Sequence, residues 1–366
     1  MGLLEALPKP PEGKTGFPWT EELSPSVYDM DEEWPTMSIV TPSYNQGQYI
    51  EETIRAVLLQ NYPNLEYIVT DGGSTDETKA ILEKYDEWIT YWVSEKDDGQ
   101  THALNKGLAK CTGDVFNWIN SDDYYSKDCF KILAEHFRSP DVWAVSAYYR
   151  LFDDRGVWEE KDIGPREFND LPEKLYQCRN HQPSTFFKLD KIQALGGLDS
   201  YFNYVMDQDI WIKFLLTFGD EHIKNIDDVL AHFRVHSDSK TDQHASNLFS
   251  VELYTIFYAL AIQYDLKEQA EILDTIKGGK IDRDFEFKYQ FKEGDKELIT
   301  KTIHGMMCFN AKKYDSLGDR SLVKKCLDAT DPKWLNEGQR AVYDKLKKKN
   351  YVYPLYSFVK NIFSKG

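Results

Sequence analysis

The residues of greatest chemical potential are carboxylates set in short polar runs: Asp71-Gly72-Gly73-Ser74, Asp97-Asp98-Gly99-Gln100, Asn120-Ser121-Asp122-Asp123 and Asp207-Gln208-Asp209-Ile210-Trp211. A carboxylate can hold a hard divalent cation through oxygen, or take a proton from a hydroxyl as that hydroxyl attacks. Downstream stand Arg234 and His236, then Lys240. Cations there suit phosphate oxygens, and an imidazole can add to a metal shell. Neighbouring carboxylates on an extended chain point to opposite sides, so one of Asp122 and Asp123 would bind a cation directly; we take Asp122. Alternation puts Arg234 and His236 on one face if the strand continues through them.

Each run also has a plain structural use. Asp71 to Ser74 can be a turn and helix cap, Asp98 and Gly107 the start and stop of a helix, and Asp207 with Asp209 the acidic start of another. The order of the runs along the chain separates the two readings.

The elements that must position these residues follow from hydrophobic periodicity. Buried strands are expected over 37–42, 65–70, 89–93 and 115–119, with helices over 49–60, 74–85 and 101–110 between them. Strands alternating with helices argue for a parallel α/β sheet, and such sheets bind ligands outside the carboxyl ends of their strands. Pro42 to Asn45, Asp71 to Ser74 and Asn120 to Asp123 all fall at such ends. Further on, strands are expected over 143–151, 184–187 and 229–235, and helices over 190–195 and 208–218. From about residue 247 the pattern is mostly helical, with helices over 248–264, 267–276, 322–328 and 339–348. Residues 1–35 hold Pro8, Pro10, Pro11, Pro18, Pro25 and Pro35, which preclude a long helix and suggest an extended arm.

Composition narrows the function. Hydrophobic residues make up 41% and charged residues 29%, a globular balance. A formal net charge of −17 argues against a general nucleic-acid binder, which needs Lys and Arg for phosphates. Five cysteines without a CxxC pair fit a reducing cytoplasm better than a disulfide framework. No apolar leader and no bilayer-length apolar run is seen. The stretch from Tyr343 to Gly366 is basic with interleaved aromatics, which suits contact with an anionic membrane surface, at the inner face if the chain is cytoplasmic.

Taken together, Thr41-Pro42-Ser43-Tyr44-Asn45, Asp71-Gly72-Gly73-Ser74-Thr75-Asp76, Asn120-Ser121-Asp122-Asp123, Ala194-Leu195-Gly196-Gly197-Leu198-Asp199 and Asp207-Gln208-Asp209-Ile210-Trp211 make residues 36–241 resemble the inverting, family 2 glycosyltransferases of the GT-A fold. The resemblance implies an α/β fold, a mainly parallel sheet flanked by helices, with a helical C-terminal extension. Its expected divisions are an arm at 1–35, a transferase domain at 36–245 and an accessory region at 246–366.

It also implies roles. Pro42, Tyr44, Asn45, Asp71 and Asn120 would frame the nucleotide, with Asp71 accepting a hydrogen bond from the base. Asp122, Asp123 and His236 would hold Mn²⁺ or Mg²⁺. Arg234 or Lys240 would meet the diphosphate. Gly99, Gln100 and Lys106 would shape the donor pocket, His181 and Gln182 would touch sugar, and Gly197 would let donor and acceptor approach. Asp207 would be the general base, with Asp209 its competitor. Asn120 stands where the family more often has Asp, and Met206 where it often has Glu. The implied substrates are a nucleotide-diphospho-sugar, most often a UDP-sugar in the family, and a saccharide or lipid-linked glycan acceptor. A homo-oligomer is compatible with the sequence. A sugar-phosphate nucleotidyltransferase would need a Gly-rich, Arg-containing loop at residues 42–45, and a dinucleotide oxidoreductase would need GxGxxG there. A non-catalytic saccharide-binding scaffold on the same fold is the alternative of a different class.

Overall fold

The computed structural model describes residues 2–153, 156–157, 162–178, 181–236, 246–276 and 280–352. The chain divides into two compact units, residues 1–166 with 179–242, and residues 167–178 with 243–366.

The first unit is built on one nine-stranded sheet. Strand β1 (Met37–Ser43) is buried at every position, as a central strand covered on both faces must be. It pairs in parallel with β2 (Leu65–Asp71) on one side and β4 (Val115–Trp118) on the other, and β2 pairs in parallel with β3 (Tyr91–Ser94). Helices α1 (Ile50–Leu58), α2 (Thr78–Lys84) and α3 (Gln100–Leu108) form the connections between them. A Cβ on Gly107 would lie 2.4 Å from Val40 Cγ1, so the missing side chain lets α3 lie directly on β1.

Beyond β4 the sheet changes character. After β5 (Tyr124–Tyr125), α4 (Cys129–Phe137), β6 (Ala144–Asp153) and β7 (Gly156–Val157) come β8 (Thr185–Lys188), α6 (Leu189–Ala194), α7 (Met206–Phe218) and β9 (Ile223–Arg234), with α5 (Leu171–Gln177) lying in the second unit. The strand order is β3-β2-β1-β4-β8-β6-β9-β5, with β7 beside β6. β8 runs antiparallel to both β4 and β6, β6 is parallel to β9, and β5 and β7 are antiparallel to their partners. The sheet is therefore mixed rather than mainly parallel. An apolar pattern says which face a strand buries, not which way it runs beside its neighbour.

The N-terminal arm belongs to this core. Arg55 of α1 has no exposed surface, and its guanidinium donates to Pro8 O at 2.8 Å, Pro18 O at 2.9 Å, Trp19 O at 2.9 Å and Tyr85 Oη at 3.1 Å. Leu7, Tyr28 and Trp34 join Ile39, Ile54, Val69 and Phe130 in the main apolar cluster.

The second unit is helical: α5, then α8 (Ser246–Gln263), α9 (Lys267–Ile276), α10 (Asp295–Ser316), α11 (Arg320–Asp328) and α12 (Glu337–Lys347). Helix α10 packs against all the others. The sequence pattern gave no helix at 295–316, because Thr300, Thr302, His304 and Asn310 are buried among Ile299, Ile303, Met306 and Met307 and blur the apolar stripe. Within the helix Thr300 Oγ1 donates to Lys296 O, Thr302 Oγ1 to Leu298 O and Asn310 Nδ2 to Met306 O, while His304 Nδ1 accepts from Asp331 N and Asn310 Oδ1 from the Tyr254 hydroxyl. No helix among the described residues is long and apolar enough to cross a membrane. The basic tail from residue 353 onward lies outside the described residues.

Candidate active site

Loops at the carboxyl ends of β1 and β2 are latched to each other. Asn45, at φ +52°, donates its backbone N–H to Ser74 Oγ at 2.7 Å and accepts from Thr75 N through Oδ1 at 2.9 Å. Asp71 is buried, and its carboxylate accepts from Ser74 N at 2.9 Å, Ser94 Oγ at 2.6 Å and Ser74 Oγ. A carboxylate offers roughly four acceptor positions, so Asp71 spends most of its capacity shaping the turn. Pro42 lies within β1 opposite Thr70, and Tyr44 projects at 62% exposure. Of the residues expected at the nucleotide, Tyr44 and Asn45 are exposed, and Asn45 and Asp71 latch the two loops together through Ser74.

The Asn120–Asp123 run follows β4. Asp122 Oδ2 lies 2.9 Å from His236 Nε2. Asp123 points the other way into the interior, accepting from Arg234 N at 2.8 Å. Burial and the neighbouring Asp122 push its carboxyl well above the usual carboxylate range. Asp122 and His236 therefore converge, and Asp123 serves the backbone. Among the described residues no cluster of three or more metal-binding side chains is present.

Arg234 differs from its expected role at the diphosphate. Its guanidinium donates to Glu52 Oε2 at 2.5 Å and to Asp122 O at 3.0 Å, and lies 4.6 Å from the Tyr49 ring and 4.4 Å from the Phe152 ring. At 6% exposure it holds the Asp122–Asp123 loop against α1 instead of facing an open site. Strand alternation placed Arg234 beside His236, but the burial of that face depends on Glu52, a sequence-distant partner. Lys240 lies outside the described residues.

Asp207 sits in the first turn of α7 and is half-buried. Burial raises its carboxyl from 3.8 to about 7, although backbone amides at the helix start pull the other way. Two positions on, Asp209 has no exposed surface, and its Oδ2 is 2.7 Å from Lys213 Nζ, which is also 3.8 Å from Asp199 Oδ2. Asp209 is therefore placed to hold α7 on the Gly196–Asp199 loop rather than to meet a substrate.

That loop is held from α3. Asn105 accepts from Leu198 N at 3.0 Å and donates to Leu198 O at 2.8 Å, and Thr101 Oγ1 donates to Phe202 O at 2.8 Å. Gly197 has φ +79°, and a Cβ there would come within 3.0 Å of Asn105 Oδ1. Gln100 Nε2 donates to Asn120 Oδ1 at 2.8 Å, so α3 ties the Asn120–Asp123 run to the segment that delivers Asp207. Gly99 caps α3 with φ +108°, and Lys106 pairs with Glu95 at 2.9 Å. His181 and Gln182 are buried, and Gln182 Nε2 donates to Trp118 O at 2.5 Å, which makes it a brace for β4. Sequence reasoning missed Glu52 and Lys213. Only Lys213 left a signal, as a lysine four residues after Asp209 on an apolar helix face.

Known proteins resemble this chain. The family described as glycosyl transferase family 2 matches residues 38–192. A glycosyltransferase of Rickettsia typhi is 31% identical over 229 residues, covering 58% of this chain and 68% of that one. TuaG of Bacillus subtilis, named for a glycosyltransferase of teichuronic acid biosynthesis, is 41% identical over 97 residues, 26% of this chain and 38% of its own. Among solved structures, residues 1–349 of S. aureus TarS in complex with UDP-GlcNAc share the fold, with a TM-score of 0.54 and 17% identity over 86% of this chain and 88% of that one. The motif order, the sheet and these likenesses agree: the chain belongs to glycosyl transferase family 2, and is a glycosyltransferase on the GT-A fold with a helical C-terminal region.

Proposed function

We propose that the chain moves a sugar from a nucleotide-diphosphate donor, a UDP-sugar, to a hydroxyl of a saccharide or lipid-linked glycan, with inversion at the anomeric carbon and Asp207 as general base. The observation that carries this reading is the bracing by α3, where Gln100 holds Asn120 and Asn105 holds Leu198 ahead of the α7 turn that bears Asp207, whose carboxyl burial raises to about 7. A base works best when its pKa lies near the operating pH. As the acceptor oxygen bonds to the anomeric carbon, Asp207 takes its proton, and the electron pair of the breaking bond leaves with the nucleoside diphosphate. A single in-line displacement inverts that centre. Tyr44 is placed to contact the nucleotide, and the latched Asn45–Ser74 and Asp71–Ser74 loops to support it.

The donor set fits a hard divalent cation. Asp122 Oδ2 and His236 Nε2 are 2.9 Å apart, close enough to serve one ion, and cations that bind substrate phosphates need few protein ligands. Asp122 and His236 would hold Mn²⁺ or Mg²⁺, which supplies charge to neutralise the departing diphosphate. The UDP-GlcNAc in the TarS complex and the teichuronic acid role in TuaG's name support a UDP-sugar donor and a glycan acceptor.

Calorimetry with UDP, GDP, dTDP and CMP tests the reading. One nucleotide should bind in Mn²⁺ and lose at least about tenfold in affinity in EDTA, about 1.4 kcal/mol. No binding by any of them would overturn the donor assignment. A transfer product that retains the donor's anomeric configuration would overturn the displacement.

A further inference from the structure

The helical unit contains a cleft of about 450 Å³, within the range of roughly 300–1,000 Å³ typical of small-ligand sites. Its walls come from separate parts of that unit: Asp170 before α5, Glu297 and Lys301 on α10, Trp334 in a short 3₁₀ turn, and Asn336 with Gln339 at the start of α12. The walls are fixed independently of any ligand. Asn336 Nδ2 donates to Asp170 Oδ2 at 2.8 Å, and Gln339 Nε2 donates to the Tyr176 hydroxyl at 3.2 Å. Asp170 also caps α5, and Asn336 and Gln339 form a capping box on α12. Walls ordered in advance spare a ligand the cost of ordering them.

The lining chemistry selects the ligand class. Lys301 and Lys333 balance Asp170 and Glu297, so the cleft has no net formal charge to attract an ion. Trp334 is half-buried and supplies an indole wall, with Lys333 Nζ 5.3 Å from its ring centroid. Beside it the cleft is lined by carboxylates, amides and ammonium groups, which supply both donors and acceptors. An apolar ring face edged by mixed hydrogen-bonding groups suits a pyranose, which has C–H faces and a hydroxyl rim. We infer that this cleft binds a neutral saccharide segment, the part of the acceptor chain remote from the reacting hydroxyl. The inference rests on the reading that the acceptor is a saccharide. Holding a remote segment raises the effective concentration of the acceptor end at the enzyme.

Saturation-transfer NMR on the full chain tests this, with cellohexaose, maltohexaose and chitohexaose as neutral probes. At least one should bind in the millimolar range, and Trp334→Ala should weaken it by about tenfold or more. Lys301→Ala, a change at the cleft rim, should weaken it several-fold with the melting temperature kept, which guards against Trp334→Ala failing to fold. Binding should persist in Asp207→Asn, and donor hydrolysis should be unchanged in Trp334→Ala. The inference is overturned if none of the probes binds up to about 10 mM, or if neither variant weakens binding. Donor turnover is read separately. Its absence with probe binding intact would sink the transferase reading and leave the cleft standing.

Discussion

The turn after β2 and the first turn of α7 each bury aspartates, and they treat them in opposite ways. At the β2 turn Asp71 is surrounded by donors: Ser74 N, Ser74 Oγ and Ser94 Oγ all meet its carboxylate. At α7, Asp209 is answered by the buried Lys213, whereas Asp207 is surrounded by enough protein to push its carboxyl up to about 7. Burial alone therefore does not mark a reacting group. Nor does a raised carboxyl by itself, since Asp123 is pushed up too and serves Arg234 N; Asp207 is set apart by its place in the first turn of α7 together with its penalised charge.

Asp207→Asn sharpens the comparison most. Transfer should fall by about 10²–10⁴-fold, the usual contribution of a positioned base. The stability sign is the reverse. Between 3.8 and about 7 the folded protein binds more protons at this carboxyl than the unfolded chain does, so its contribution to stability is lost as pH rises through about 7. Asp207→Asn should therefore melt higher than the parent at pH 8, with the gap closing toward acid pH. The parent's rate should rise with pH and level off above about 7. A fully active variant, or one that melts lower at pH 8, would break the contrast.

Lys213→Met tests the compensated side of α7. It removes the ammonium that faces the buried Asp199 and Asp209 carboxylates, and chemical denaturation should show a loss of about 3–5 kcal/mol. A change below about 1 kcal/mol would mean that these carboxylates are not held by the lysine.

Asp71→Asn should have the smallest effect. Its amide nitrogen would face hydroxyl and backbone donors, at a cost of about 1–3 kcal/mol. Nucleotide affinity should fall as the Asn45–Ser74 latch loosens. If affinity collapses in calorimetry while stability is unchanged, Asp71 acts on the nucleotide directly, and its likeness to Asp209 fails.

The alternating strands and helices of residues 37–119 were legible because β1 and β4 are buried at every position, β2 over most of its length and β3 partly, and each turn carries Gly, Asp or Asn. Strand direction beyond β4 was not, since burial does not encode it. Helix α10 was hidden by its own centrality: neighbours on many sides remove the polar face that makes a helix visible. In the site, the runs containing Asp71, Asp122 and Asp207 could be read from residue type, order and spacing.

What those carboxylates do was left to the tertiary structure. The sequence determined which acids and bases are present and that strand ends would carry them. Only folding brought Glu52 to Arg234, His236 to Asp122 and Lys213 to Asp199. The physical reason is that a carboxylate's role depends on its local dielectric and on which donors reach it. Both are set by residues far away in the chain, as Arg234 and Glu52 are, 182 positions apart.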